Sequence, residues 1–205
     1  MTLLAALLAH AGSATEHAGV RRPSPSEQVG AALDFGAVYD DHVDLVWRAL
    51  RRLGVPETAI EDATQDVFLV VHRRLHEFEG RSSLSTWVYG IAVGVARNLR
   101  RTRRRRPEHP SDGIEDELVS MAPSPERGAV DSEAIALLER LLATLDPDKR
   151  EVFVLAELEE LTAPEIGAAL GLNVNTVYTR LRAARAAFEQ ALVKFRSKEH
   201  GRLAT

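Results

Sequence analysis

Polar side chains that can hydrogen-bond to nucleic-acid bases recur near the carboxyl end of the chain. If residues 174–188 form a helix, its polar face comprises Asn175, Tyr178, Thr179, Arg182 and Arg185. Its opposite, apolar face comprises Val174, Val177, Leu181, Ala184 and Phe188, at the steps of three and four residues that an amphipathic helix requires. Donors and aromatic planes on one helix face are suited to reading base edges in a major groove. The segment is a candidate DNA-recognition helix.

The preceding residues predict a second helix that would position this one. Thr162 is a suitable N-cap, and Glu165, three residues later, can complete a capping box. Gly171 supplies the turn, and Asn173 is a suitable N-cap for the following helix. This pattern predicts a helix-turn-helix. Two capped helices around a glycine also build ordinary helical hairpins, so the motif alone leaves both interpretations open.

Composition limits the class of protein. A chain of 205 residues with 45% hydrophobic content has room for one large or two small domains. Because there is no cysteine, disulfides, thiolate metal sites and a cysteine nucleophile are excluded, and a reducing, cytoplasmic location is expected. No segment approaches the roughly 18 apolar residues of a membrane span, so we expect no membrane insertion.

The net charge of −4 is unevenly distributed. Residues 97–106 contain seven arginines and no acid, whereas residues 107–131 contain seven acids and one arginine among several Pro, Ser and Gly. The second composition is typical of a linker. We therefore predict an all-α protein with two small helical domains, residues 33–106 and 132–196, joined by a flexible acidic linker, residues 107–131. Residues 1–32 are predicted to be a poorly ordered tail and residues 197–205 a carboxyl-terminal tail.

Three amphipathic helices are predicted in the first domain. The first covers residues 35–53 and the second residues 57–78, whereas the third follows the polar loop 80–83 and runs into the arginines. The second helix carries Glu61, Asp62, Gln65 and Asp66 on one face; in isolation this would be a solvated face with favourable charge near a helix N-terminus. The third carries aromatic residues beside basic ones, which suits a nucleic-acid strand that is single or being opened.

These motifs together resemble the sigma-70 family of bacterial RNA polymerase sigma factors. The resemblance is to the compact extracytoplasmic-function (ECF) group, which has only the second and fourth conserved regions. Residues 35–53, 59–75 and 78–101 resemble region two, and residues 141–185 resemble region four. The order and spacing of these segments agree with those of the family.

The resemblance implies that the chain binds core RNA polymerase and directs it to promoters. The residues implied in docking on the clamp helices of the largest polymerase subunit are Glu61, Asp62, Gln65, Asp66, Phe68 and Arg73. Those implied in recognising the minus-ten element, including a base extruded from the duplex, are Gly80, Arg81, Ser82, Ser83, Leu84, Thr86, Trp87 and Tyr89. Arg97, Arg100 and Arg101 would hold backbone phosphates.

For the second domain, the resemblance implies contact with the minus-35 element. The base-reading residues would be Asn175, Thr176, Tyr178, Thr179 and Arg182. Arg180 and Arg185 are assigned to either phosphate contact or structural pairing. The implied partners are core polymerase, including its flap region, promoter DNA and an anti-sigma factor. We find no catalytic constellation and expect no cofactor, no metal and no enzyme activity.

The chain departs from the family pattern along the third helix, and two other functions remain as alternatives. Gly90, Val93 and Gly94 stand where many relatives have polar or basic residues, and each glycine costs about 1 kcal/mol in a helix interior. One alternative function is a helix-turn-helix regulator that acts without polymerase. The other is a helical metalloenzyme, because His72 and His76 lie four residues apart, with Glu79 nearby.

Overall fold

The computed structural model describes residues 33–105 and 128–203. Every regular element in these residues is helical, which confirms the predicted all-α class. The first domain, here called domain two, contains α1 (Phe35–Arg52), α2 (Glu57–Arg74) with a 3-10 turn (Leu75–Glu77), and α3 (Leu84–Arg105). Domain four contains α4 (Gly128–Ala143), α5 (Pro147–Phe153) with a π-helical turn (Val154–Leu158), α6 (Ala163–Leu170) and α7 (Val174–Leu203). The predicted tail, residues 1–32, and most of the predicted linker lie outside the described residues.

Local capping and turn residues define the helices of domain two. The Asp34 carboxylate accepts a hydrogen bond from the Ala37 N–H at 3.0 Å and so caps α1. Gly54 lies in the turn between α1 and α2 and has φ of +85°, a left-handed conformation that glycine adopts without steric cost. The three helices then pack through fully buried residues, among them Val46, Ile60 and Val88.

Domain four has its own apolar cluster, in which Phe153 of α5 stacks on Phe188 of α7 with ring centroids 4.7 Å apart. Its first and last helices extend beyond residues 132–196. Helix α4 begins at Gly128 rather than near residue 132, and α7 continues to Leu203 through most of the predicted tail. Residues 194–199 contain no Gly or Pro, so nothing in that segment breaks the helix.

The two domains pack against each other around one continuous apolar core. Val152, Leu155, Ile166 and Leu170 of domain four belong to the same buried cluster as the core of domain two. Ion pairs lie beside this shared core, including one between Arg51 and Glu139 at 3.0 Å. Sequence periodicity predicted which helix faces are apolar, but it did not predict that one domain covers the other.

Two further properties of the described segments concern membrane spans and metal sites. Within residues 33–105 and 128–203, no helix is both long and apolar enough to span a bilayer. In the same segments, no three His, Asp or Glu side chains converge in a way that could hold a metal ion. The His72 ring instead packs edge-on against Phe35, with centroids 4.8 Å apart.

Candidate protein- and DNA-binding surfaces

The helix-turn-helix forms as the sequence predicts. The Glu165 carboxylate accepts hydrogen bonds from the Thr162 N–H at 2.8 Å and from its hydroxyl at 2.6 Å. Gly171 ends α6 in a left-handed conformation with φ of +67°. Asn173 caps α7, because its side-chain oxygen accepts from the Asn175 N–H at 2.9 Å. These local bonds fix the angle at which α7 leaves α6.

The polar face of α7 is exposed in the described structure. Its exposed residues are Asn175, Tyr178, Thr179, Arg182 and Arg185, and Thr176 is half-buried beside them. Tyr178 is 59% exposed, so its ring is accessible on this face. The buried side of the same helix comprises Val177, Leu181, Ala184 and Phe188, so one amphipathic helix both packs the domain and presents a polar surface.

Arg180 and Arg185, for which the sequence left two roles open, form ion pairs within domain four. Arg180 lies 2.8 Å from Asp148, and Arg185 lies 2.6 Å from Glu157. These bonds tie α7 to α5 and to the π-helical turn. Arg182, in contrast, forms no ion pair among the described residues and projects from the exposed face.

Helix α2 presents the acidic face that the sequence predicts. Glu61, Asp62, Gln65 and Asp66 are all exposed. Leu69, one turn further, is 53% exposed, so an apolar group adjoins the acids. The Arg73 guanidinium is exposed and donates to the Leu69 carbonyl at 3.1 Å.

Phe68 differs from the other five residues assigned to this surface. It is 4% exposed, and its ring lies 4.6 Å from that of Tyr39, centroid to centroid. It follows Val67 on the face that α2 turns toward α1, where aromatic packing buries it. In this arrangement the Phe68 side chain belongs to the core and does not reach the acidic surface.

The loop before α3 and the first turns of that helix are largely engaged in packing. Ser83 caps α3, because its hydroxyl accepts a hydrogen bond from the Thr86 N–H at 3.0 Å. The same hydroxyl lies 2.8 Å from the Thr86 hydroxyl. Thr86, Leu84 and Tyr89 are buried. Trp87 is half-buried against Phe78, whereas Arg81 is exposed and pairs with Glu79. Gly80 and Ser82 are half-buried, and Gly80 turns the chain with φ of +68°.

Burial also changes the acid–base behaviour of Tyr89. Its hydroxyl donates a hydrogen bond to Glu159 of domain four. Desolvation, reinforced by the Glu159 charge, raises the pKa of Tyr89 far above its ordinary value. Tyr89 therefore acts as a neutral donor between the domains, not as an exposed ring.

Two of the three arginines assigned to phosphates bind a carboxylate of the same chain. Glu151 of α5, which is 1% exposed, lies 2.7 Å from Arg97 and 3.0 Å from Arg100. The hydrogen bonds from Arg97 to Glu151 raise the pKa of that guanidinium. Arg101 is exposed and donates to the Asn98 side chain at 3.0 Å.

Sequence reasoning assigned no role to Glu151. A signal for it exists, because Glu151 directly precedes the apolar run of residues 152–156, and a buried carboxylate needs a cationic partner. The sequence does not identify that partner, which lies more than fifty residues earlier in the chain.

A groove of about 680 Å³ lies between α2, α3 and α6. Its polar lining residues are Asp66, Arg73, Arg74, Ser82, Thr86 and Asn98. Its apolar walls include Trp87 and Ala169, the latter from domain four. Residues assigned by sequence to polymerase and to the minus-ten element therefore meet at one concavity, which domain four partly closes.

Comparisons with known proteins agree with this architecture. Residues 38–106 match the family described as Sigma-70 region 2, and residues 135–188 match Sigma-70, region 4. The RNA polymerase sigma factor NccH of Alcaligenes xylosoxydans xylosoxydans is 31% identical over 173 residues, covering 83% of this chain and 91% of NccH. The ECF RNA polymerase sigma-E factor of Escherichia coli strain K12 is 33% identical over 142 residues, covering 66% and 74% of the two chains.

A solved structure of CnrH in complex with the cytosolic domain of CnrY has a similar fold. It is 27% identical to this chain, covers 92% of this chain and 96% of that one, and gives a TM-score of 0.58. The matches to both sigma-70 regions and to these relatives show that the chain is a sigma factor, the class of protein that directs RNA polymerase to promoters. The chain belongs to the ECF group of the sigma-70 family. This membership disfavours both the polymerase-independent regulator and the metalloenzyme.

Proposed function

We propose that this sigma factor binds core RNA polymerase chiefly through the exposed acidic face of α2. The observation that carries the proposal is the grouping of Glu61, Asp62, Gln65 and Asp66 on one solvent-facing side of a helix whose other side is core. A surface of this charge attracts a basic partner and speeds association with it. The partner surface on the polymerase is the clamp helices of the largest subunit, with Arg73 at the edge of the contact and Phe68 supporting it from within.

Promoter recognition is divided between the two domains. In domain four, Asn175, Thr176, Tyr178, Thr179 and Arg182 read the minus-35 element, because they share the exposed side of a helix that can enter a major groove. In domain two, the loop 80–83 and the first turns of α3 receive the minus-ten element. Leu84, Thr86 and Tyr89 support that site as buried residues, whereas Arg81 and Trp87 are the nearer to solvent.

The phosphate contacts belong to arginines of α3. Arg101 is exposed and available, and Arg97 and Arg100 become available once they leave Glu151. Arg180 and Arg185 act through their ion pairs with Asp148 and Glu157, which hold α7 in place, and not as primary DNA contacts. The polymerase supplies the chemistry of RNA synthesis, so the sigma factor has no catalytic residues or cofactor of its own and works in the cytoplasm beside the polymerase.

An anti-sigma factor is a further partner in this proposal. The related CnrH was solved in complex with the cytosolic domain of CnrY. The acidic face of α2, the apolar Leu69 beside it and the groove of α2, α3 and α6 are surfaces that such a protein could cover, and covering them would block polymerase binding.

Run-off transcription with sigma-free bacterial core polymerase and a promoter library tests the proposal. The wild type is expected to yield specific transcripts, and Asp66→Arg to reduce both core binding and transcription at least tenfold, because an introduced cation opposes a basic partner. Glu189→Arg is the matched control, because Glu189 is an exposed carboxylate on α7, away from the acidic face. No transcript and no core binding by the wild type would refute the proposal, and equal loss in both variants would refute the placement on α2.

A further inference from the structure

Domain four covers α3 at the face that carries Gly90. A β-carbon added at Gly90 would lie 2.9 Å from the carbonyl oxygen of Ala169 and 3.5 Å from its Cα. β-Carbons essentially never approach an atom as closely as the first of these distances, so glycine lets the backbone of α6 rest on that of α3. Gly90, one of the three residues that depart from the family pattern, is therefore the one that allows domain four to pack closely on α3.

Further along the same helix, Glu151 binds two arginines at once. Arg97 places Nη2 at 2.7 Å and Nε at 3.0 Å from Glu151 Oε2, and Arg100 places Nη2 at 3.0 Å from Oε1. A carboxylate that accepts a forked pair of bonds from a guanidinium offers the same charge sign and acceptor geometry as a phosphate. The donors that point at Glu151 cannot bind DNA at the same time.

We propose that the packing of domain four on α3 is an autoinhibitory contact in which Glu151 substitutes for promoter phosphates at Arg97 and Arg100. The inference rests on the proposed function, which assigns these arginines to DNA. In the closed arrangement the arginines are bound to Glu151 and α6 lies over Gly90. In the open arrangement the same face meets the minus-ten element. Because only the open chain binds DNA through α3, the apparent affinity of the free protein equals its intrinsic affinity multiplied by the open fraction.

Two glycines of α3 provide a matched pair of variants. Gly90→Ala places a methyl group against Ala169, whereas a β-carbon at Gly94 meets nothing within 4 Å. Both changes replace glycine by alanine inside one helix, so both raise its helix propensity alike. A difference between them therefore reports the domain contact. Glu151→Gln is a second variant, which keeps the size of the side chain and removes its charge.

Interdomain distance is the first measurement. Because the chain has no cysteine, spin labels can be attached at Asp44→Cys in α1 and Glu189→Cys in α7, both of which are exposed. In the full chain, the wild type and Gly94→Ala are expected to give one short distance, and Gly90→Ala and Glu151→Gln a longer, broader distribution. Circular dichroism establishes that each variant remains helical. A wild-type-like distance in both Gly90→Ala and Glu151→Gln would overturn the inference.

DNA binding by the free protein is the second measurement, with a fluorescent single-stranded oligo(dT) as the probe. Gly90→Ala and Glu151→Gln are expected to bind it about fivefold or more tightly than the wild type and Gly94→Ala, because the open fraction rises. Adding Arg97→Ala to Gly90→Ala should remove most of that gain. An open distance distribution with unchanged oligo(dT) affinity would overturn autoinhibition.

Transcription by the holoenzyme separates this inference from the proposed function. If the wild type directs specific transcription but Gly90→Ala needs no less protein for half-maximal transcription, the autoinhibitory contact is refuted and the sigma function stands. If the wild type directs no transcription, the proposed function fails, and the autoinhibitory role that rests on it fails as well, whatever the distances show.

Discussion

The Glu159 carboxylate lies 2.6 Å from the Arg52 guanidinium, and both side chains are nearly buried. The same carboxylate accepts a hydrogen bond from the Tyr89 hydroxyl. A single acid of domain four is therefore bonded to both α1 and α3 of domain two. Because Glu159 follows the π-helical turn, the position of that turn determines whether these bonds form.

Replacing this acid should destabilise the closed protein. Glu159→Ala leaves Tyr89 without its acceptor and removes an ion-pair partner of Arg52, and we expect the free energy of unfolding to fall by about 2 kcal/mol. Urea unfolding followed by circular dichroism measures the change. Glu189→Ala, which removes an exposed carboxylate of α7, is the control and should alter stability by less than about 0.5 kcal/mol. Equal effects of the two substitutions would contradict the interdomain role of Glu159.

Replacing the next residue, Glu160, should stabilise the protein. It is exposed and has φ of +55°, a left-handed conformation that is strained for residues with a β-carbon. Glu160→Gly removes this strain and should raise the free energy of unfolding by about 0.5–1 kcal/mol. Glu160→Ala keeps the β-carbon and serves as the control. A gain from alanine as large as that from glycine would show that charge, and not backbone conformation, is responsible.

His42 should make stability depend on pH near neutrality. It is buried, and its Nδ1 donates to the Val38 carbonyl at 2.9 Å, which leaves Nε2 to accept from the Ser85 hydroxyl at 3.3 Å. Burial lowers the pKa of His42, although the Val38 bond and Asp41 partly oppose the shift. In the unfolded chain the His42 ring is protonated below about pH 6.5, whereas in the folded chain it stays neutral to a lower pH.

The contribution of neutral His42 to the free energy of unfolding is therefore complete above the unfolded pKa and is lost as the pH falls toward the lower folded pKa. We expect the melting temperature of the wild type to fall more than that of His42→Gln between about pH 7.5 and about pH 5.5. Differential scanning calorimetry across this range measures both slopes. Parallel slopes for the two proteins would show that His42 does not titrate differently on folding.

The capping box of the helix-turn-helix should contribute measurably to domain four. Thr162→Ala removes the hydroxyl that bonds to Glu165, and we expect a loss of about 1 kcal/mol in the free energy of unfolding. Thr162→Ser keeps a hydroxyl and is expected to lose little. Urea denaturation distinguishes the two, and a full loss in Thr162→Ser would assign the effect to the methyl group instead.

Arg182 should affect the choice of promoter without affecting stability. It is exposed and forms no ion pair in the described segments, so Arg182→Ala leaves no buried group unpaired. Loss of a base contact is expected to reduce discrimination between minus-35 sequences by about tenfold. Transcription from competing promoters measures the ratio. Lys194→Ala, an exposed cation further along α7, is the control and should leave the ratio unchanged.

The sequence predicted local features well because their causes are local. Asn173 and Gly171 lie within a few residues of the helix ends that they define, and the apolar step of α7 repeats within one helix. The face carrying Asp66 followed from the same periodicity. Its solvent exposure in the structure agrees with the predicted placement, whereas its role in polymerase binding stays a prediction.

Contacts between the domains could not be predicted in this way. Gly90 looked like a residue that weakens a helix, because only the structure shows the Ala169 carbonyl against it. Arg97 and Arg100 looked like free cations, because a charge in a sequence does not identify its distant partner. The family resemblance assigned Phe68 to the polymerase-binding surface, whereas its side chain is buried against Tyr39.

The five residues of the π-helical turn, Val154–Leu158, set the orientation of Glu159 relative to α5. Its wider turn is closed by a hydrogen bond from the Glu159 N–H to the Val154 carbonyl at 3.2 Å, which accommodates one residue more than an α-helical turn. Deleting one residue here would turn all later side chains by about 100° relative to α5. Glu159 would then turn away from Arg52 and Tyr89 of domain two. Substitutions that preserve the five residues of the turn keep this alignment, whereas a single-residue deletion would break the bonds that Glu159 forms with domain two.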